Sequence, residues 1–223
     1  IRSKEKLAAF RKARLEGKKF EDGLPQGTGE LNVHGMPQLP PGQREVKDWP
    51  VLDLGMTPEI TREDWTLTVN GLVKNPFKIK WEQFMKLPQV QDISDFHCVT
   101  SWSRFNNHWK GVRLVDIATQ AELLPQVKHI LFEGYDSDPY GVPYTTNIPL
   151  EEGLKSDVLL VYEWEGKPLP KEHGGPVRVI TPQLYAWKGT KWVKSITFIE
   201  NDVPGFWETR GYSNTAEPWL NDR

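Results

Sequence analysis

A chain of 223 residues, with 28 basic and 30 acidic side chains and a net charge of -2, can bury a proper core and shows no basic footprint for nucleic acid. No stretch approaches the roughly 20 apolar residues of a membrane-spanning helix. No export signal is visible, so a reducing cytoplasm is the expected compartment. The single cysteine, Cys98, excludes an intramolecular disulfide and a zinc site made only of protein thiolates.

Residues 3–16 predict a basic amphipathic helix, with Ser3 as its N-cap, Leu7, Phe10 and Leu15 as apolar contacts and Gly17 as its stop. Its basic residues read as a solvated face. Residues 17–50, rich in glycine, proline and polar side chains, read as an arm that wraps the body or stays mobile. The expected organisation is therefore a helix and arm over 1–50 and the main domain over 51–223. From Trp65 the pattern alternates, with Trp65, Leu67 and Val69 pointing one way and Asn70-Gly71 as a turn before Leu72-Val73. Residues 81–87 and 112–124 predict helices closed by Pro88 and Pro125. Strands are expected at 128–133, 144–148, 158–163, 177–181 and 193–200. Strands with scattered short helices indicate an α+β fold built on mixed β-sheets.

Three segments carry the candidate chemistry. Cys98, in Asp95-Phe96-His97-Cys98-Val99-Thr100-Ser101-Trp102-Ser103, is a buried small hydrophobe, a nucleophile, or one ligand of a metal held mainly by something else. In His173-Gly174-Gly175-Pro176-Val177-Arg178, the glycines admit a close backbone approach and the arginine offers a planar fork to an oxyanion. Tyr185-Ala186-Trp187-Lys188-Gly189-Thr190-Lys191 combines two point charges with a small turn suited to a phosphate. Ten tryptophans, among them Trp102, Trp109, Trp187, Trp192, Trp207 and Trp219, serve as core packing or as a rigid wall round a bound group.

Taken in order, Trp65-Thr66-Leu67-Thr68-Val69-Asn70-Gly71, Cys98-Val99-Thr100-Ser101-Trp102-Ser103, Trp109-Lys110-Gly111-Val112, His173 to Arg178 and Lys188-Gly189-Thr190-Lys191-Trp192 resemble the sulfite oxidase-like molybdenum oxidoreductases. That family includes the catalytic subunit of bacterial methionine sulfoxide reductases. The resemblance implies the sulfite oxidase molybdopterin-binding fold, with molybdenum held by the dithiolene sulfurs of molybdopterin and by the Cys98 thiolate. It also implies that His173 and Arg178 contact the pterin and its phosphate, that Gly189, Thr190 and Lys191 form the phosphate turn, and that Tyr185 and Lys188 lie beside it. Asp53 matches a pterin-contacting position, while His97 either reaches the pterin or packs elsewhere. Sulfite oxidases proper carry Gly-Asn-Arg-Arg after the metal cysteine. Here Ser101-Trp102-Ser103-Arg104 follows, so the sulfite-binding arginine is not matched position for position, and Arg104 is either a positive charge near the metal or an ordinary surface pair.

The activity so implied is two-electron oxygen-atom transfer on a small oxo-donor or oxo-acceptor, either reduction of an S-oxide or N-oxide or oxidation of sulfite. The tryptophans favour an S-oxide or N-oxide. With no haem segment and no second cysteine, electrons are expected to pass through a separate protein or carrier. Two alternatives stand beside this reading: a non-catalytic binding module on the same fold, and a cysteine hydrolase using Cys98 with His97, His108 or His173 as base.

Overall fold

Lys4–Leu15 forms helix α1, anchored by Phe10 against Met36, Trp219 and Leu220. The expected cap at Ser3 and stop at Gly17 lie outside residues 4–16 and 25–223, which the computed structural model describes. The arm contributes more regular structure than its composition suggests. Strands β1 (Thr28–Leu31) and β2 (Pro37–Leu39) pair antiparallel, and β3 (Arg44–Glu45) lies parallel to Trp102 and Ser103.

The alternation after residue 64 forms β4 (Thr66–Gly71), with Trp65, Leu67 and Val69 fully buried. Asn70 and Gly71 close β4, and the chain turns from Gly71, at φ 92°, with Val73 N–H donating to Gly71 O at 2.9 Å. Leu72 N–H donates to Phe198 O at 2.7 Å, and a Cβ on Gly71 would stand 2.2 Å from that oxygen. Glycine serves here both the turn and the close approach of a neighbouring strand. Strand β5 (Phe77–Lys80) returns antiparallel to β4, and helix α2 (Trp81–Phe84) is shorter than expected. Next come β6 (Val90–Cys98) and β7 (Trp102–Arg113), a long hairpin that sequence patterning did not reveal.

Helix α3 (Leu114–Ala121) occupies the middle of the expected helix. Leu114, Ile117, Ala118 and Ala121 are buried at the spacing of one helical face, while Val112 stays in β7 and Glu122 ends the helix at φ 53°. Strands β8 (His129–Ser137) and β9 (Pro143–Pro149), helix α4 (Leu150–Gly153), and strands β10 (Leu159–Trp164), β11 (Lys167–Pro168), β12 (Arg178–Ile180) and β13 (Val193–Ile199) complete the order. The expected strands over 128–200 are all present, with shifted ends.

Two mixed sheets result. One runs β11-β10-β7-β3, with β12 on β10 and β6 on β7; the other runs β5-β4-β13-β8-β9, its β13-β4 pair parallel. The main core joins residues of both sheets, including Leu67, Phe132, Leu160, Val179 and Ile196, to α3. A second cluster gathers Trp49, Trp102, Trp109, Leu159 and Ile180 around Cys98. Among the described residues, no helix is long and apolar enough to cross a membrane.

Candidate functional site

The β6-β7 hairpin delivers Cys98 to the wall of a cavity of about 300 Å³, also lined by residues of the β8, β9 and β12 regions and by the segment after Tyr185. Of the residues singled out in the sequence, Asp53, Cys98, His173, Arg178, Gly189 and Lys191 line it together. The Cys98 sulfur is 3.1 Å from Thr100 Oγ1. Burial pushes its thiol up, opposed by the Thr100 donors and by the positive charges of Arg178 and Arg223.

Arg178 is buried with its donors directed at carbonyls: Nη1 to His173 O at 3.1 Å, Nη2 to Gly189 O at 3.0 Å and Nε to Val179 O at 3.3 Å. Burial lowers its pKa to about 10. Lys191 donates to Leu52 O at 2.8 Å, and burial brings it down to about 8. Neither cation has a salt bridge among the described residues. Two cations thus face one cavity without a salt bridge, and the carboxylates of Asp53 and Asp136 line the same cavity and act on Lys191 electrostatically. The glycines hold this arrangement close: a Cβ on Gly174, at φ 104°, would stand 2.9 Å from Lys191 Cβ, and one on Gly189 would stand 2.6 Å from Val179 O.

His173 stacks on Trp49, ring centroids 3.8 Å apart and planes 6° from parallel. Burial, reinforced by Arg178 and Lys191, lowers its pKa to about 3, so the imidazole is neutral at physiological pH. An unfolded chain takes up this proton near pH 6.5, well before the native site does. Stability contributed by neutral His173 is therefore present at neutral pH and lost as pH falls from about 6.5 towards about 3. Thermal scans of the wild type and His173→Gln should diverge less below pH 6 than above it. A gap independent of pH would count against the neutral imidazole.

Five expected site residues lie off the cavity wall, and their partners explain why. Arg104 donates to Lys47 O at 3.0 Å, to Asn107 Oδ1 and to Glu165 Oε1 at 3.1 Å, and its guanidinium lies over the Trp164 ring. These partners hold it in pairs away from the cavity wall. Lys188 is buried with Nζ 2.7 Å from Glu208 Oε1 and 2.8 Å from Asn147 O, so its charge is already neutralised away from the cavity. Tyr185 is buried and stacks on Trp187. Thr190 is buried and off the wall, and its hydroxyl has no hydrogen-bond partner among the described residues.

His97 lies behind Cys98, edge-on to Trp219, and burial lowers its pKa to about 3. Ser103 Oγ donates to Gln43 Oε1 at 3.3 Å, so the 2.8 Å contact between His97 Nδ1 and Ser103 Oγ makes Nδ1 the protonated nitrogen. Gln43 Nε2 in turn donates to Cys98 O at 3.1 Å, which ties this chain of bonds to the cysteine backbone.

The wall also holds three residues that were not singled out in the sequence, Asp136, Tyr144 and Tyr212. Asp136, from β8, lines the cavity, and burial raises its carboxyl to about 6. The sequence carried a signal for it: a carboxylate at the inward phase of β8, whose burial alternates without a break. Tyr144, from β9, also reaches the wall and donates its hydroxyl to Trp187 O. Trp207 and Tyr212, in a stacked pair, join Trp187 and Trp102 as an aromatic lining. By contrast, Trp109, Trp192 and Trp219 are buried packing residues off the wall.

Comparison with known proteins accords with this geometry. Residues 54–207 match the oxidoreductase molybdopterin binding domain family. The chain is 38% identical to the uncharacterized oxidoreductase YuiH of Bacillus subtilis over 189 residues, covering 83% of this chain and 91% of that protein. It is 39% identical to human mitochondrial sulfite oxidase over 108 residues, 47% of this chain and 20% of that one. Identity is 29% with the protein-methionine-sulfoxide reductase catalytic subunit MsrP of Gluconobacter oxydans, over 64% of this chain and 49% of that one. The chain thus spans less than half the length of these last two relatives. The crystal structure of the sulfane dehydrogenase SoxCD from Paracoccus pantotrophus shares the fold, with a TM-score of 0.60 and 24% identity over 66% of this chain and 41% of that one. With a thiol and two cations on one cavity wall, this fold and these matched residues make the chain an enzyme of the sulfite oxidase-type molybdopterin-binding oxidoreductase family, with molybdenum-molybdopterin as its cofactor.

Proposed function

We propose that the enzyme reduces a small uncharged S-oxide or N-oxide, using Cys98 as the protein ligand of molybdenum. The observation that carries this reading is the polarity of the cavity: one thiol and an aromatic lining share it with Arg178 and Lys191, and Arg104 is absent from the wall. The side chains fit the cofactor. A thiol suits a soft metal site, and the two cations suit the pterin phosphate. In this reading Gly189 and the backbone beside Arg178 flank the phosphate, while His173, Asp136 and Asp53 offer polar groups to the pterin.

When bound, the cofactor supplies a centre that exchanges two electrons while an oxygen atom moves between it and the substrate. Reduction of a sulfoxide consumes two electrons and two protons and yields a sulfide and water. The chain binds and orients. Trp102, Trp187, Trp207 and Tyr212 exclude water and favour a thioether-like group, since sulfur packs well on aromatic rings. The Tyr144 hydroxyl keeps its proton, because burial raises its pKa and it is fixed on the Trp187 carbonyl. His173, neutral and stacked, adds no further positive charge that would favour an anionic substrate such as sulfite. Electrons then arrive from a separate protein or small carrier.

The test is molybdenum analysis of freshly purified protein by inductively coupled plasma mass spectrometry, followed by kcat/KM for a dialkyl sulfoxide with a reduced dye and for sulfite with an oxidised one. Near-stoichiometric metal and at least about tenfold preference for the sulfoxide, about 1.4 kcal/mol in the barrier, is expected. A preference for sulfite would overturn the assignment of substrate.

A further inference from the structure

The turn that follows the cysteine is held from four directions. Ser101 N–H donates to Cys98 O at 3.2 Å, and Gln43 Nε2 reaches the same carbonyl at 3.1 Å. Arg44 N–H donates to Ser101 O at 3.1 Å, while Arg223 Nη1 donates to Val99 O at 2.8 Å and to Ser101 Oγ at 2.7 Å. Ser101 takes φ 72°, which reverses the chain within this frame. The residue at the middle of the turn is Thr100, on the cavity wall, with Oγ1 3.1 Å from Cys98 Sγ. Among the described residues its hydroxyl has no other partner, and its backbone N–H faces the same sulfur.

We propose that Thr100 is a positioning residue whose hydroxyl donates to the Cys98 thiolate and so tunes the electron density that the sulfur gives to the metal. The inference rests on the assignment of Cys98 as ligand. A thiolate accepts a charge-assisted hydrogen bond, and that bond withdraws electron density from sulfur. Its effect is largest where the metal is most electron-rich, so the donor favours the reduced state and raises the reduction potential. The tethered turn makes this a fixed contribution. The hydroxyl is held over the sulfur by bonds that Thr100 does not itself make.

Three variants of the cofactor-loaded protein separate the possibilities. Thr100→Val keeps the β-branch and removes the O–H; Thr100→Ser restores the O–H without the methyl; Cys98→Ser removes the sulfur. The readouts are the sulfur-to-molybdenum absorption band and the one-electron midpoint potential followed by electron paramagnetic resonance. Thr100→Val should move the band to lower energy and lower the equilibrium constant for reduction about tenfold, equal to about 59 mV for one electron. Thr100→Ser should stay close to the wild type in both. If Thr100→Val leaves band and potential unchanged, or if Thr100→Ser shifts as far as valine does, the tuning role is overturned while the ligand stands. If Cys98→Ser retains the band, the ligand assignment falls, and the role of Thr100 with it.

Discussion

Cys98→Ser is expected to abolish the sulfur-to-molybdenum absorption band and to lower turnover at least about 1,000-fold, a loss of about 4 kcal/mol of transition-state stabilisation. The argument begins with the fold. The sulfur is the one thiol that the sequence offers, and the β6-β7 hairpin places it on the cavity wall. Serine is nearly isosteric, and the frame that holds the turn uses the cysteine carbonyl rather than its side chain. The variant should therefore keep the wild-type circular dichroism and change stability by no more than about 1 kcal/mol. A thiol reagent supplies the independent check. In the loaded protein Cys98 should resist alkylation, and after removal of the cofactor it should react. A serine variant with the wild-type spectrum and rate would remove Cys98 from the mechanism.

Legibility of the sequence followed how locally each residue's environment is determined. The strands over 128–200 and the existence of α3 rest on local pattern within one element, and they are present with shifted ends. The β6-β7 hairpin does not. Its residues Asp92, Ser94, Asp95, Asn106 and Asn107 break the apolar alternation, the register shifts between Ser94 and Phe96, and the consecutive His97 and Cys98 are both buried, one against Trp219 and the other on the cavity wall. Only long-range partners settle such polar strands: Asp95 Oδ1 accepts from Asn106 N–H, and Asn107 Nδ2 donates to Ser94 O. The two lysines after Tyr185 show the same limit. They differ in role because Glu208 neutralises Lys188 while Lys191, on the cavity wall, donates to the Leu52 carbonyl, and neither partner is near in sequence. Cys98, Arg178 and Lys191 could be singled out because few other readings suit those residue types in that order. Asp136, Tyr144 and the Trp207-Tyr212 pair enter the site through tertiary placement.

The N-terminal helix offers the largest stability test, because it ends in a charge with no access to water. Arg14 of α1 donates Nε to Glu217 Oε2 at 3.1 Å, Nη2 to Glu217 Oε1 at 2.9 Å and to Glu152, and Nη1 to Gln183 Oε1 at 2.6 Å. Gln183 passes the connection on, donating to Asp157 Oδ2 at 3.0 Å, a carboxylate that His34 also reaches at 3.1 Å. One guanidinium thus joins α1, α4, the C-terminal segment and the loop leading to Tyr185. Burial raises Glu217 to about 7 even with Arg14 attracting its charged form, so these carboxylates are costly to hold in the interior. Arg14→Ala would leave Glu152 and Glu217 buried without their cation, at a cost of about 3–5 kcal/mol and a fall in melting temperature of about 10 °C. The triple variant Arg14→Met, Glu152→Gln, Glu217→Gln should recover much of that loss, since it removes the charges together instead of stranding two of them. Equilibrium denaturation of the three proteins decides the matter: an Arg14→Ala midpoint equal to that of the wild type would show that the buried cluster contributes nothing to holding the helix on the body.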